Sequence, residues 1–267
     1  MAVRTIFAMA EDCARGERLG WHEFVRDYLP IGRRLLEHYF GVLKPDLETH
    51  LAAVFERARA QDNAWFKSLH FANEREFLMA FRELVFRYGR EQARVPVPRL
   101  SMEQYSQLID GLSLVEREML WLYVKGYSAE QIAPMIMNAA ATAEAVKGMA
   151  RERMAKLLPG SVAEVFSGSV HALIEAADQA RTEACLPWRT FNNIVNGQIA
   201  WRERELAEAH VRGCLYCIDR FTSFQEMIRY RKDGQPAADA EIENMLGRLG
   251  LPPSRQKGML QRLFCGG

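Results

Sequence analysis

The sequence predicts an all-α protein, and three observations carry that prediction. Apolar residues recur at helical spacing in nearly every periodic segment. The 18 glycines and 10 prolines fall mostly between those segments. No stretch keeps the strict apolar–polar alternation of a half-buried strand.

The first stripe is Trp21, Phe24, Val25, Tyr28, Leu29, Leu35, Leu36, Tyr39 and Phe40, with Pro30 expected to split or kink it. Leu47, Leu51, Val54 and Phe55 form the second, after Pro45, a favoured first-turn residue. Phe77, Leu78, Phe81, Leu84, Val85 and Tyr88 form the third, with Asn73 and Glu76 as its expected cap. Two prolines make Val95–Leu100 a linker. Capping boxes at Ser101/Gln104, Ser113/Glu116 and Ser128/Gln131 then start short helices in a compact unit.

A helix over 128–136 followed by one over 142–158, capped by Thr142, has the helix-turn-helix plan. The second helix carries Lys147, Arg151, Arg153 and Lys156 against Glu144 and Glu152. Those cations suit phosphates or base edges, and equally a solvated surface helix. Pro159–Ser169 is a second linker, rich in Gly and Ser. Phe191, Ile194 and Val195 mark a short helix, and Phe221, Phe224, Met227 and Ile228 a longer one. The tail offers two amphipathic helices, through Ile242, Met245, Leu246 and Leu249, and through Met259, Leu260, Leu263 and Phe264. The expected organisation is a helical domain over 1–96, a helix-turn-helix domain over 100–160, a metal-binding domain over 181–233 and terminal helices over 234–267.

Composition narrows the function classes. Lys plus Arg is 35 against 34 for Asp plus Glu, a net charge of +1 that excludes a polybasic, histone-like binder. Hydrophobic residues are 49% and charged residues 26%, as in a globular protein rather than a disordered one. No apolar run reaches the length of a membrane helix, and the short stretch Thr5–Ala10 ends at Glu11 and Asp12, so a cytoplasmic protein is expected. Five cysteines, an odd number, point to a metal or thiol site rather than a disulfide framework. No phosphate-binding glycine loop, nucleophile elbow or H-E-x-x-H occurs, so a non-enzyme is expected.

The strongest chemistry is His210, Cys214 and Cys217, spaced H-x3-C-x2-C, with Cys185 upstream. A turn of helix brings His210 to Cys214, and Gly213 is expected to bend the chain before it. A Cys3His set suits tetrahedral Zn2+, and four protein ligands make such a site structural rather than catalytic. Chance core residues are the competing reading of this trio.

Several stretches resemble bacterial sigma factors of the extracytoplasmic-function type. GLSLVEREMLWLYVKGYSAEQIA, Gly111–Ala133, resembles region four, with its acidic run, aromatic-aliphatic helix and G-x-S-x-E-x-I-A entry. Ala145, Val146 and Lys147 align with the family's T-V-K, and Thr142 with its capping Ser. GERLGWHEFVRDYLPIGRRLLEHYF, Gly16–Phe40, is similar to the opening of region two. The resemblance implies that Thr142, Lys147, Arg151, Arg153 and Lys156 meet promoter DNA. It implies that Asp46, Glu48, Phe55 and Glu56 face RNA polymerase core, although Thr49 and Ala52 depart from the clamp-helix pattern. Arg82, Arg87, Arg90 and Arg94, with Trp65, Phe66, Phe71 and Phe86, suit unpaired bases, or else a core with a solvated rim.

Cys185–Cys217 resembles the zinc-binding anti-sigma domain, with Asn196, Gly197 and Ile199 at its D-G-x-L turn. On that resemblance Phe221, Phe224, Met227 and Ile228 grip the sigma-like part of the same chain, near Phe81 and Val85 or the helix after Ser113. Packing on the metal domain's own core is the alternative. The expectation is a sigma-like transcription-initiation factor regulated by a fused zinc-binding domain. The alternative is a degenerate sigma-like interaction module without promoter recognition.

Overall fold

A computed structural model describes residues 4–92, 111–136, 144, 145, 148, 152 and 170–251. Among them every regular element is α-helical. The helices are α1 (Ile6–Arg15), α2 (Arg18–Phe40), α3 (Lys44–Ser68), α4 (Glu74–Gln92), α5 (Leu114–Val124), α6 (Ala129–Ile132), α7 (Val170–Gln179), α8 (Trp188–Val195), α9 (Trp201–Gly213), α10 (Leu215–Asp233) and α11 (Asp239–Arg248). No helix among the described residues is long and apolar enough to cross a membrane.

The capping boxes at Ser113 and Ser128 form in full, each hydroxyl and each Glu116 or Gln131 side chain satisfying a backbone N–H. Two expectations need correction. α2 runs from Arg18 to Phe40 without splitting at Pro30. The helix expected over 128–136 closes at Ile132 and continues as turn, because Pro134 has no N–H for the Glu130 carbonyl. The Ser101 box, the helix through Met259–Phe264, both linkers and Arg94 lie outside the described residues.

The chain forms two compact units, and they do not follow the order of the sequence. The first comprises Met1–Arg34, Leu43–Glu74 and Gly234–Gly267. Its centre is aromatic: Trp21, Phe24 and Phe55 are fully buried, Phe66 nearly so, and the rings of Phe24 and Phe55 lie 5.1 Å apart. Gly20 lets α2 approach α1, since a Cβ there would stand 2.5 Å from the Asp12 Cβ. The tail helix α11 belongs here, burying Ile242, Met245 and Leu246, with Arg18 on Glu243 (2.6 Å) and Arg33 on Glu241 (2.7 Å).

The second unit comprises Leu35–Val42 and Arg75–Asp233. Its axis is α10, which packs against α5, α7 and α9 and buries residues on all sides. Leu120 and Trp121 of α5 share one apolar cluster with Phe191 of α8, Val211 of α9 and Phe221 of α10. The residues expected to form separate helix-turn-helix and metal-binding domains therefore have a common core. Gly89 of α4 leaves room for the Phe40 ring, which a Cβ would approach to 2.4 Å.

Candidate metal centre

The candidate metal ligands come from the turn before α8, the last turn of α9, and the bend and first turn of α10. α8 closes in a Schellman arrangement: Gly197 takes φ +67°, its N–H reaches the Ile194 carbonyl, and Gln198 N–H reaches that of Asn193. α9 carries His210 in its last turn. The chain then bends at Cys214 itself (φ −121°, ψ 112°), not at Gly213, and α10 presents Cys217 in its first turn. Cys185 comes from the turn before α8, where its N–H bonds to the Thr182 carbonyl.

The four ligand atoms of Cys185, His210, Cys214 and Cys217 lie within 4.8 Å of one another. Cys185 Sγ is 3.6 Å from Cys214 Sγ, and His210 Nε2 is 3.2 Å from Cys217 Sγ. A tetrahedral ion with bonds of about 2.3 Å to sulfur needs ligand separations of roughly 3.8 Å, so this set fits a metal ion and is compatible with zinc. Backbone N–H groups support the sulfurs: Thr182 donates to Cys185 at 3.2 Å and Leu186 to Cys217 at 3.4 Å. Hydrogen bonding from Cys217, aided by Cys185 and His210, draws the Cys214 thiol down to about 5. Negative charge thus settles first on Cys214, and its bond with Cys214 together with burial pushes Cys217 up.

Beside this cluster the second unit holds a charge network that inspection of the sequence missed. Arg82 of α4, Lys125 at the end of α5, and Asp219 and Glu226 of α10 have side chains 0–2% exposed. Lys125 Nζ stands 3.4 Å from Asp219 and 3.5 Å from Glu226, and Arg82 stands 3.8 Å from Asp219. Trp121 Nε1 donates to Asp219 at 3.1 Å, Tyr39 donates to Glu226 at 2.6 Å, and Tyr127 also donates to Glu226. The Arg82 guanidinium lies over the Phe86 ring at 4.0 Å. Burial opposes the Asp219 carboxylate, but Lys125, Arg82, Trp121 and Arg220 outweigh it and hold its pKa below the usual range. Two basic and two acidic side chains are thus buried in mutual contact.

No local signal marked it: Asp219, Thr222, Ser223 and Glu226 share one helical face, at i, i+3, i+4 and i+7, and such a polar stripe reads as a solvated face.

α4 presents a row of polar anchors to the same neighbours. Arg75 donates to Asn192 (3.1 Å) and Asn196 (2.6 Å), Glu83 accepts from Arg220 (2.5 Å), and Arg90 pairs with Asp178. Arg82, Phe86 and Phe66, read as candidates for unpaired bases, are core residues. Arg87 is exposed.

The other candidates divide similarly. Phe221 lies in the cluster with Leu120 and Trp121, Phe224 stacks on Trp188 at 6.0 Å, Met227 is buried and Ile228 half-buried. Asp46 and Glu56 are exposed, and Glu48 pairs with Arg33 at 3.3 Å. Phe55 is corrected: its ring is wholly inside the first unit, so no partner can meet it there. Thr142, Lys147, Arg151, Arg153 and Lys156 lie outside the described residues, and Glu144, Ala145, Gly148 and Glu152 of that segment are helical and exposed. Comparison with family models, with curated proteins and with solved structures finds no match to this chain.

Proposed function

We propose that the protein is a sigma-like transcription-initiation factor whose own zinc-binding region holds it closed. One observation carries the reading: Asp219 of α10 pairs with Lys125, from the segment that resembles region four, and with Arg82 of α4. The helix that follows the metal ligands thereby ties up two cations in sigma-like parts of the chain. Zinc is the metal assigned, since three thiolates and one imidazole suit a borderline-soft, tetrahedral ion. Four protein ligands leave no open position, so the metal is structural.

Removing everything after the helix-turn-helix would also remove the partners of Leu120 and Trp121, so release is better tested by substitution in the whole chain. Binding of bacterial core RNA polymerase to zinc-loaded protein is the measurement. Wild type binds weakly, and Asp219→Ala, checked for helicity by circular dichroism, binds roughly tenfold more tightly, as loss of a coupling near 1.4 kcal/mol requires. If neither protein binds, the interaction-module alternative replaces this reading. The buried Phe55 ring favours that alternative.

A further inference from the structure

A cavity of about 550 Å³ opens beside the metal cluster, lined by the turn before α8 and by the first turns of α8 and α10. Its size falls within the range of small-molecule sites. Leu186, Phe191 and Trp188 give the lining an apolar part. Trp188 is fixed from behind, edge-on to Phe191 at 5.9 Å and stacked on Phe224 at 6.0 Å. A ligand therefore meets a preformed aromatic surface.

Three charged side chains line the cavity: Arg181, Glu183 and Arg220. Arg220 is already committed, to Glu83 at 2.5 Å and to Asp178 at 3.6 Å. Arg181 lies over the Tyr216 ring at 5.7 Å, and among the described residues it meets no carboxylate. Glu183 likewise meets no cation among the described residues. An available cation and an available anion, two residues apart in the chain, thus line a pocket that also holds aromatic rings.

That pattern complements a zwitterion with an apolar body. A dicarboxylate or phosphate would oppose Glu183, and a simple amine would oppose Arg181. We propose that this cavity binds a free α-amino acid with an aromatic or large aliphatic side chain. Its carboxylate pairs with Arg181, its ammonium pairs with Glu183, and its side chain lies along Trp188 and Leu186. The cavity also touches Cys185 and Arg220, so occupancy bears on both the metal cluster and the Arg220–Glu83 pair. The inference is independent of any role in transcription.

Calorimetric titration of the metal-loaded full chain tests it, with L-phenylalanine and L-leucine as probes. Two truncated analogues accompany them: 3-phenylpropionate, which lacks the ammonium, and phenethylamine, which lacks the carboxylate. Saturable binding of at least one amino acid is expected, with each analogue roughly tenfold weaker than phenylalanine for loss of one charged hydrogen bond. Arg181→Ala abolishes the preference for phenylalanine over phenethylamine, and Glu183→Gln abolishes the preference over 3-phenylpropionate. Both residues are exposed, so both variants fold. The proposal is overturned if neither amino acid binds, if an analogue binds as well as phenylalanine, or if the two substitutions leave the preferences unchanged.

Discussion

The two units handle buried charge in opposite ways. In the first, Asp12 is the buried carboxylate, and it pairs at the margin with Arg4 and Arg15, which are 29% and 49% exposed. The centre there is ring on ring: Trp21, Phe24, Phe55 and Phe66. In the second, Arg82, Lys125, Asp219 and Glu226 are buried together, and α10 also carries Cys217 of the candidate metal cluster. An apolar core tolerates substitution if volume is kept, and weakens gradually. A buried ion network is stable only when every member has its partner. The second unit is therefore the one that a local event can open.

Metal removal gives the largest expected effect. Structural zinc contributes on the order of 10 kcal/mol to small metal-dependent domains. Chelation, or Cys217→Ser, should strip amide protection from α8 and α9 while the helix around Phe24 keeps its own. Hydrogen exchange read segment by segment is the check. Equal loss in both units would end the distinction drawn between them.

Asp219→Ala comes next. It leaves Lys125 and Arg82 buried beside one remaining carboxylate, which costs about 3–5 kcal/mol. Phe24→Ala in the first unit costs a similar amount, about 3–5 kcal/mol. The two differ in rescue. Adding Lys125→Met to Asp219→Ala should restore part of the loss, because the unpaired cation is gone, whereas no second substitution of a charge rescues Phe24→Ala. Urea denaturation of the four proteins completes the cycle. Strictly additive losses for Asp219 and Lys125 would show that the network is not a unit.

Much of this arrangement was legible in the sequence, and the failures share a cause. Local signals read well. The boxes at Ser113 and Ser128 and the spacing of His210, Cys214 and Cys217 each depend on residues a few positions apart. Cys185 was also placed with the cluster, because thiol and imidazole chemistry narrows the choice of a fourth ligand. What spacing does not encode is which helix faces which. Arg82 read as a rim residue, yet it lies 137 positions before its buried partner Asp219. Phe55 read as a partner contact because its position suited one, while its ring belongs to the core around Phe24. The tail helix α11 reads equally as cover for a core or as a partner contact, and spacing alone does not say which core; it packs into the first unit.

A smaller effect distinguishes a buried acid that pairs with no cation among the described residues. Glu118 of α5 is 4% exposed, and its hydrogen bond comes from Gln225 at 3.3 Å. Burial raises its pKa to about 8, with Glu208 adding to the rise and Gln225 opposing it. The folded state thus holds a proton that the unfolded state releases near its ordinary value. Stability from this group is full below about pH 4.5 and is lost as pH rises toward about 8. Glu118→Gln, which is neutral throughout, should stabilise the protein by about 2 kcal/mol at pH 7.5 and change little at pH 4. Thermal melts at the two pH values decide it. A variant less stable than wild type at pH 7.5 would mean that Glu118 is ionised and productively paired.

His38 tests the same unit from the acid side, with the smallest expected effect. Its ring stacks on Tyr127 at 4.2 Å and meets the edge of Tyr39 at 4.7 Å. Nε2 is buried without a hydrogen-bond partner, and the ring also bonds to the Lys125 backbone. Burial lowers the pKa; Glu226 pulls it upward, Lys125 pushes it down, and burial prevails. The unfolded chain therefore takes up a proton near pH 6.5 while folded His38 stays neutral. Its contribution is fully present above about pH 6.5 and is lost as pH falls through the depressed folded value. A proton there would add a cation facing Lys125 and Glu226. His38→Phe keeps the stack on Tyr127 and removes the titration. Its stability, measured by urea denaturation from pH 7.5 to pH 5, should fall less steeply than that of wild type, by about 1 kcal/mol over the range. Parallel profiles would mean that His38 protonates in place without disturbing the network, and that the second unit absorbs charge more readily than its paired interior implies.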